Sequence, residues 1–437
     1  MIFLVRVNIV GAGLAGTEVV WKLSNLGIPI RLFEQKPRKF SPVHKSKYFA
    51  ELVCSNSLKS ESIENAEGVL KKEMKLLNSL ILNCAEKNRV PAGKALAVER
   101  EKFSECVTKK IQSLPNVEII NEEVKSIDLN NDEIWVVATG PTTYGDFARW
   151  LAEITDGFLN FFDAVAPIIS GESINFEICF PGNRYGEEGE GDYINCPMTK
   201  EEYERFYYEL INAEKIEMKD FDKKLLFERC QPIEEIARSG EKSLAFGPLR
   251  PVGFIDPRTG KMPYAVVQLR KEDKEGSMYN LVGFQTRLKW KEQERIIRLI
   301  PGLENAEILR YGVMHRNTYI NTPKILDEFL RHRKYKNLFF AGQIIGVEGY
   351  LESAASGIYV GLNIERLLKG RELIKFPENT MIGALMKYVT TAKELKPMYA
   401  NFGLIKIDNK IKNKRERRRY LANVCIEETQ KFVVMLK

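Results

Sequence analysis

The twelve residues VNIVGAGLAGTE, positions 7–18, decide the architecture. They join a short apolar run, residues 5–10, to Gly11-Ala12-Gly13-Leu14-Ala15-Gly16 without a break. The apolar run has the composition of a buried parallel strand. Beyond the glycines, Val19, Val20, Leu23 and Leu26 recur at helical spacing, which predicts a helix over residues 17–26 that Gly27 ends. A second strand is predicted over residues 28–33, followed at once by Glu34. Strand, GxGxxG, helix, strand and acid, in that order, make a dinucleotide site. Gly11 permits the tight turn, Gly13 lets a pyrophosphate reach the backbone, and Gly16 lets helix and strand pack closely. The helix start turns free N–H groups and a positive dipole end toward phosphate. Glu34 accepts hydrogen bonds from ribose hydroxyls, which favours FAD or NAD over NADP as the tightly held nucleotide.

Two later segments choose FAD. Residues 134–138 read as an apolar strand ending in Ala138-Thr139-Gly140, and residues 337–342, NLFFAG, as another ending in Gly342. Gly349-Tyr350 and the residues to Gly357 then open a helix that runs through Leu368. Flavoproteins of the two-dinucleotide-binding type look like this, with a final helix aimed at the flavin. The acid usual after the last glycine is replaced by Gln343, whose amide bonds a ribitol hydroxyl more weakly. The fold class expected is α/β: a Rossmann-like FAD-binding domain, split in sequence into residues 1–160 and 321–437, with an inserted α+β domain at 161–320. Strand-like runs at 164–170, 174–180, 264–270 and 279–285 and a charged helix at 200–215 fill the insertion, and Pro181-Gly182-Asn183 reads as a turn. Residues 71–86 read as one helix with Cys84 on its apolar face.

The chain has 437 residues, 44% hydrophobic and 29% charged, as in ordinary globular proteins. The apolar start lacks the basic flank and cleavage site of a signal peptide, and no run approaches the roughly 18 apolar residues that span a bilayer. Net charge is +7, and residues 406–419 alone carry eight basic and two acidic residues, a patch suited to a polyanion. Seven cysteines without a CxxC, and only three histidines, argue against a structural zinc site and for reduced thiols. Cys54 stands in a polar, loop-like passage, FAELVCSNSLKS (residues 49–60), and Cys230 lies beside Arg229 and two residues before Pro232. A neighbouring guanidinium favours thiolate over thiol.

The segments VNIVGAGLAGTE, FAELVCSNSLKS, VPAGKALAV (90–98), CQPIE (230–234), FGPLRPVG (246–253), VGFQT (282–286), YGVMHRNT (311–318) and FAGQIIGVEGY (340–350) carry a family likeness. Together they closely resemble the bacterial folate- and FAD-dependent tRNA (uracil-5-)-methyltransferases, over nearly the whole chain. The resemblance implies a cytoplasmic enzyme that makes 5-methyluridine in the tRNA T-loop. The methylene would come from 5,10-methylenetetrahydrofolate, with reduced FAD as methylene carrier and hydride donor and NAD(P)H as reductant. It also implies two catalytic thiols, matching Cys54 and Cys230. The Arg229 neighbour favours Cys230 for addition to uracil C6, with Cys54 near the flavin, where Ser55, Asn56 and Ser57 are candidate hydrogen-bond donors to flavin, folate or uracil. Tyr350, His315 and Arg287 are the candidates for covering the pterin. The basic run at 406–419, with RHRKYK at 331–336, would then contact tRNA phosphates, with neither DNA nor membrane as partner. Two other readings fit the motifs: a small-molecule FAD oxidoreductase, and a non-enzymatic flavin-containing tRNA-binding subunit related to the wobble-uridine modification flavoprotein.

Overall fold

The structure, a computed structural model, describes residues 5–41, 43–184, 191–216, 231–406 and 411–436, and within them the side chains of all but 161–164, 315 and 316. Its centre is a five-stranded parallel sheet in the order Leu338–Phe340, Ile134–Val137, Val7–Val10, Ile30–Phe33, Val117–Ile120. The central strand is buried along its whole length, as a strand covered on both faces must be. The helix Leu14–Leu23 covers one face and packs against the long helix Tyr350–Leu368. The first and last thirds of the chain therefore share one core, reaching from Val7 to Phe432.

A second core, from Ala166 to Ala306, belongs to a six-stranded antiparallel sheet and its helices. The sheet order is Phe180–Gly182, Tyr193–Met198, Ala265–Lys271, Met278–Leu281, Ile168–Ser170, Ile308–Arg310. The helix Lys200–Asn212 lies against it, started by a Thr199/Glu202 capping box. The antiparallel pair Leu159–Ala164 and Met314–Tyr319 carries the chain between the two cores.

Three local expectations change. Residues 71–86 are not one helix: Ala66–Leu76 ends, Asn78 takes a φ of 60°, and Leu80–Lys87 begins with Ser79 as its cap. The buried Glu18 carboxylate accepts the Leu80 and Ile81 N–H groups and the Ser79 hydroxyl, so the second helix start is held from across the core. Pro181-Gly182 lies in an edge strand, where proline is tolerated because its missing N–H faces away from the ladder. Residues 174–180 are mostly turn, and Tyr193–Met198 supplies the strand in their place.

The C-terminal helix Lys414–Leu436 buries Leu421, Ala422, Cys425, Thr429 and Phe432 against helix Ala66–Leu76. Nearby, the wholly buried Glu73 accepts the N–H groups of Met381 and Ile382 at 2.6 and 2.9 Å, capping the helix Met381–Thr391. Burial pushes its carboxyl up to about 8.

Candidate dinucleotide cavity and thiol site

A cavity of about 440 Å³ opens at the carboxyl ends of the parallel strands, where ligands bind in such sheets. Gly11, Ala12, Gly13, Leu14 and Ala15 line it, as do Glu34, Gly140, Gly342, Gln343, Gly349, Tyr350 and Cys54. Gly16 lies behind the wall, and a Cβ there would meet the Gly11 carbonyl oxygen at 1.9 Å, so helix and turn touch backbone to backbone. Gly13 is different. Its φ of −77° suits any residue, and a Cβ there meets nothing within 4 Å. Protein packing leaves this position open, on a cavity wall, at the uncapped start of a helix whose first N–H groups have no intrahelical partner. That is the cradle a pyrophosphate needs, and the residues present fit FAD.

Glu34 joins the second strand to the glycine turn. Its two carboxylate oxygens accept the Ala12 and Lys36 N–H groups at 3.1 and 3.0 Å, and each keeps a lone pair for a ribose hydroxyl. At the far end of the cavity, Gln343 donates its amide to the Glu348 carboxylate. The acid missing at position 343 is thus replaced at the same wall by Glu348, five residues on, which the sequence pattern did not single out. The helix Tyr350–Leu368 starts here, with Gly349 at a φ of 119° and a Cβ-sized space filled by Glu352 Oε2 at 2.2 Å. Glu352 is fully buried and accepts the Lys59 ammonium at 3.2 Å and the Ala400 N–H at 3.0 Å. Lys59, also on the cavity wall, holds a left-handed φ of 64°.

The passage 49–60 docks on the glycine turn, where the Ala50 N–H donates to the Ala12 carbonyl at 2.9 Å. This places Cys54, half-buried, on the cavity wall. Its loop is pinned from distant parts of the chain. The Tyr350 hydroxyl accepts the Cys54 and Ser55 N–H groups at 2.7 and 3.1 Å. Arg310 donates to the Val53 carbonyl at 2.6 Å, and Arg100 to those of Leu52 and Cys54 at 2.7 and 3.2 Å. Arg270 donates to Ser55 Oγ and Asn56 Oδ1. Glu272 pairs bidentately with Arg100, so among the described residues bonded to this loop and to one another three guanidinium groups meet one acid. Burial lowers the Arg270 and Arg310 values, Glu272 opposes this in both, and Cys54 is a further group attracting Arg310. Burial raises the Tyr350 phenol, which stays protonated.

Some candidates fall elsewhere. Asn56 is fully buried, with its oxygen on Arg270 and its amide on the Lys271 carbonyl, so it holds the loop and does not face a ligand. Ser55 and Ser57 remain on the cavity wall. Arg287 is buried between Glu234, Glu235 and the Ile216 carbonyl, away from the cavity, and is not a pterin cover. Cys230 and the side chain of His315 lie outside the described residues. His44, bonded to Ser41 at 2.6 Å, is a cavity-wall residue that sequence reasoning passed over. Cys179, just before the strand Phe180–Gly182, and Cys196, within Tyr193–Met198, sit 3.3 Å apart in the second core and off the cavity. In the basic run, residues 407–410 lie outside the described residues. Arg415 and Arg419 hold Glu64, while Arg417 and Arg418 are exposed. Arg331 is paired with Asp327 and His332 is buried, which leaves Arg333, Lys334 and Lys336 as the exposed cations of that stretch.

Comparisons with known proteins agree with this geometry. The family model described as "Glucose inhibited division protein A" matches residues 6–372. The methylenetetrahydrofolate–tRNA-(uracil-5-)-methyltransferase TrmFO of Thermosipho africanus is 73% identical over 432 residues, 99% of this chain and 100% of that protein. Its namesake from Thermotoga maritima is 61% identical over 431 residues, 98% of each chain. Among solved structures, Aquifex aeolicus GidA has a TM-score of 0.71 at 17% identity, covering 99% of this chain and 73% of that one, a likeness of fold. The chain belongs to the methylenetetrahydrofolate–tRNA-(uracil-5-)-methyltransferases, within the wider glucose-inhibited division protein A family.

Proposed function

We propose that this protein methylates C5 of a uridine in the tRNA T-loop, in the cytoplasm, with the one-carbon unit taken from 5,10-methylenetetrahydrofolate. The balance is one methylenetetrahydrofolate, one uridine, one NAD(P)H and one proton in, and one 5-methyluridine, one tetrahydrofolate and one NAD(P)⁺ out. Residues 1–160 and 321–437 form the FAD-binding unit and 161–320 the insertion. FAD, when bound, supplies the methylene-carrying and hydride chemistry.

The observation that carries this reading is the position of Cys54, on the wall of a dinucleotide cavity and held there by Tyr350 and a cluster of three arginines. Uracil C5 becomes nucleophilic only after a thiolate adds at C6, which moves charge onto C5 and O4. Around Cys54 the arginine cluster favours anionic sulfur over thiol, the form that can take up a proton. Two thiols serve the reaction, Cys230 at C6 and Cys54 in proton transfer beside the flavin. Gly13 and the helix start would hold the pyrophosphate of FAD, Glu34 its ribose, and the Gln343–Glu348 pair its ribitol. The target uridine has to leave its stack to reach the cavity.

The test uses flavin-loaded protein, NADPH, tRNA lacking the modification and methylenetetrahydrofolate with radiolabelled methylene. Label in 5-methyluridine, dependent on all components, supports the reading. NADPH oxidation that needs neither folate nor tRNA would instead make the protein a small-molecule oxidoreductase.

A further inference from the structure

The segment FGPLRPVGF, Phe246 to Phe254, has no role in the chemistry above, and it presents an unusual surface. Phe246 ends the short helix Ser243–Phe246 and is 79% exposed. Ile255 and Met262 follow at 61% and 65%. Exposure here does not come from a loosely held chain. Leu249 is fully buried, and its backbone bonds Leu244 and Val266 at 2.9 and 2.8 Å. Phe254 is buried edge-on to Phe180, and Arg184 donates to the Pro248 carbonyl at 2.7 Å. The fixed backbone therefore holds a large ring out in water, which costs solvation unless something covers the ring.

The segment also packs against one residue of the cavity wall. A Cβ at Gly283, a lining residue, would lie 2.9 Å from Pro248 Cβ, and Phe246 is two residues from Pro248. Residues 238–261 carry five basic and two acidic side chains, and Arg250 and Lys261 are exposed. On the other domain Ser57 and Lys59 line the cavity, and Glu64, five residues beyond Lys59 and off the lining, holds Arg415 and Arg419 beside the exposed Arg417 and Arg418. The inserted domain thus offers an aromatic face with cations, and the other domain offers cations alone. Single-stranded RNA loops present that pair of features in reverse, as unstacked bases strung between phosphates.

We propose that Phe246 is a stacking platform for a base of the substrate RNA loop, with the basic character of residues 238–261 suited to the loop's phosphates. The proposal rests on the reading of tRNA as substrate and names where the inserted domain grips it. The ring is a positioning residue that holds the loop open beside the domain that carries it.

The test compares wild type, Phe246→Ala and Phe246→Trp, each flavin-loaded. It measures tRNA affinity by fluorescence anisotropy, the KM for tRNA and for methylenetetrahydrofolate, and the thermal midpoint. Phe246→Ala weakens tRNA binding by about 5- to 150-fold, the range for one base–aromatic stack, and raises the KM for tRNA alone. Phe246→Trp restores binding, and its indole fluorescence falls on adding tRNA. Unchanged tRNA affinity in Phe246→Ala overturns the proposal. So does a rise in the folate KM in its place, or a change in oligomeric mass with RNA binding intact, which would make the patch a protein interface. If wild type itself fails to methylate tRNA, the functional reading fails. If wild type is active and Phe246→Ala matches it, only the stacking role fails.

Discussion

Replacing Gly13 by alanine separates what the fold needs from what the cofactor needs. In the protein alone the added methyl meets no atom within 4 Å, and the φ of −77° is ordinary for alanine. The folding cost reduces to a poorer helix cap, about 0.5–1 kcal/mol, which moves the thermal midpoint of the apoprotein by no more than about 2 °C. The methyl instead occupies the space between the first N–H groups of helix Leu14–Leu23 and an incoming pyrophosphate. Each charge-assisted hydrogen bond lost there is worth about 1.5–3 kcal/mol, so losing one or two weakens FAD binding by roughly 10- to 25,000-fold. Titrating apoprotein with FAD and following flavin fluorescence reads the affinity, and differential scanning fluorimetry without FAD reads the fold. Gly16→Ala is the control: its Cβ would lie 1.9 Å from the Gly11 oxygen, so it damages the apoprotein itself. FAD affinity within twofold of wild type in Gly13→Ala would refute the assignment of this turn as the pyrophosphate cradle.

Tyr350→Phe removes the acceptor of the Cys54 and Ser55 N–H groups, each costing about 1–3 kcal/mol if left dry, so methylation falls at least tenfold while FAD stays bound; turnover and flavin content measured together check this. Glu73 has a raised folded value, so its neutral form is favoured on folding; its contribution is full below the ordinary carboxyl value of 4.5 and is lost as pH rises toward about 8. The thermal midpoint should therefore drop between pH 5 and 8.5, and Glu73→Gln should flatten that drop, as calorimetry across the range will read. Replacing the exposed Arg417 and Arg418 by alanine should weaken tRNA binding and lower the log–log salt slope by roughly 1 to 2, and an unchanged slope removes this helix from the RNA surface.

The parts legible in sequence were those encoded locally. Strand, glycine turn and helix are contiguous in residues 7–23, so the glycine turn that lines the cavity and the parallel sheet could be read from spacing. The strands ending at Gly140 and Gly342 carried the same local signature, and the structure places both glycines on the cavity wall. What escaped was set by distance along the chain. Tyr350 reaches Cys54 from 296 residues away and Arg310 reaches Val53 from 257, and no spacing rule links such pairs. The break between the helices Ala66–Leu76 and Leu80–Lys87 was hidden for the same reason, since Glu18 holds the second helix start from across the core. The role of Asn56 needed Arg270, 214 residues on, to show that a polar residue in an apparent loop is a structural clamp. Burial of Arg287 depends on two acids more than fifty residues earlier.

The most direct measurement of the central claim is the mass of the methyl group made from methylenetetrahydrofolate carrying a CD₂ bridge, with NADPH and unmodified tRNA in ordinary water. The methylene supplies two deuterons and its reduction adds one light hydrogen as hydride, so the 5-methyluridine formed should be two mass units heavier than the natural nucleoside and should form only when NADPH is present. An undeuterated methyl group, or full methylation without NADPH, would contradict it.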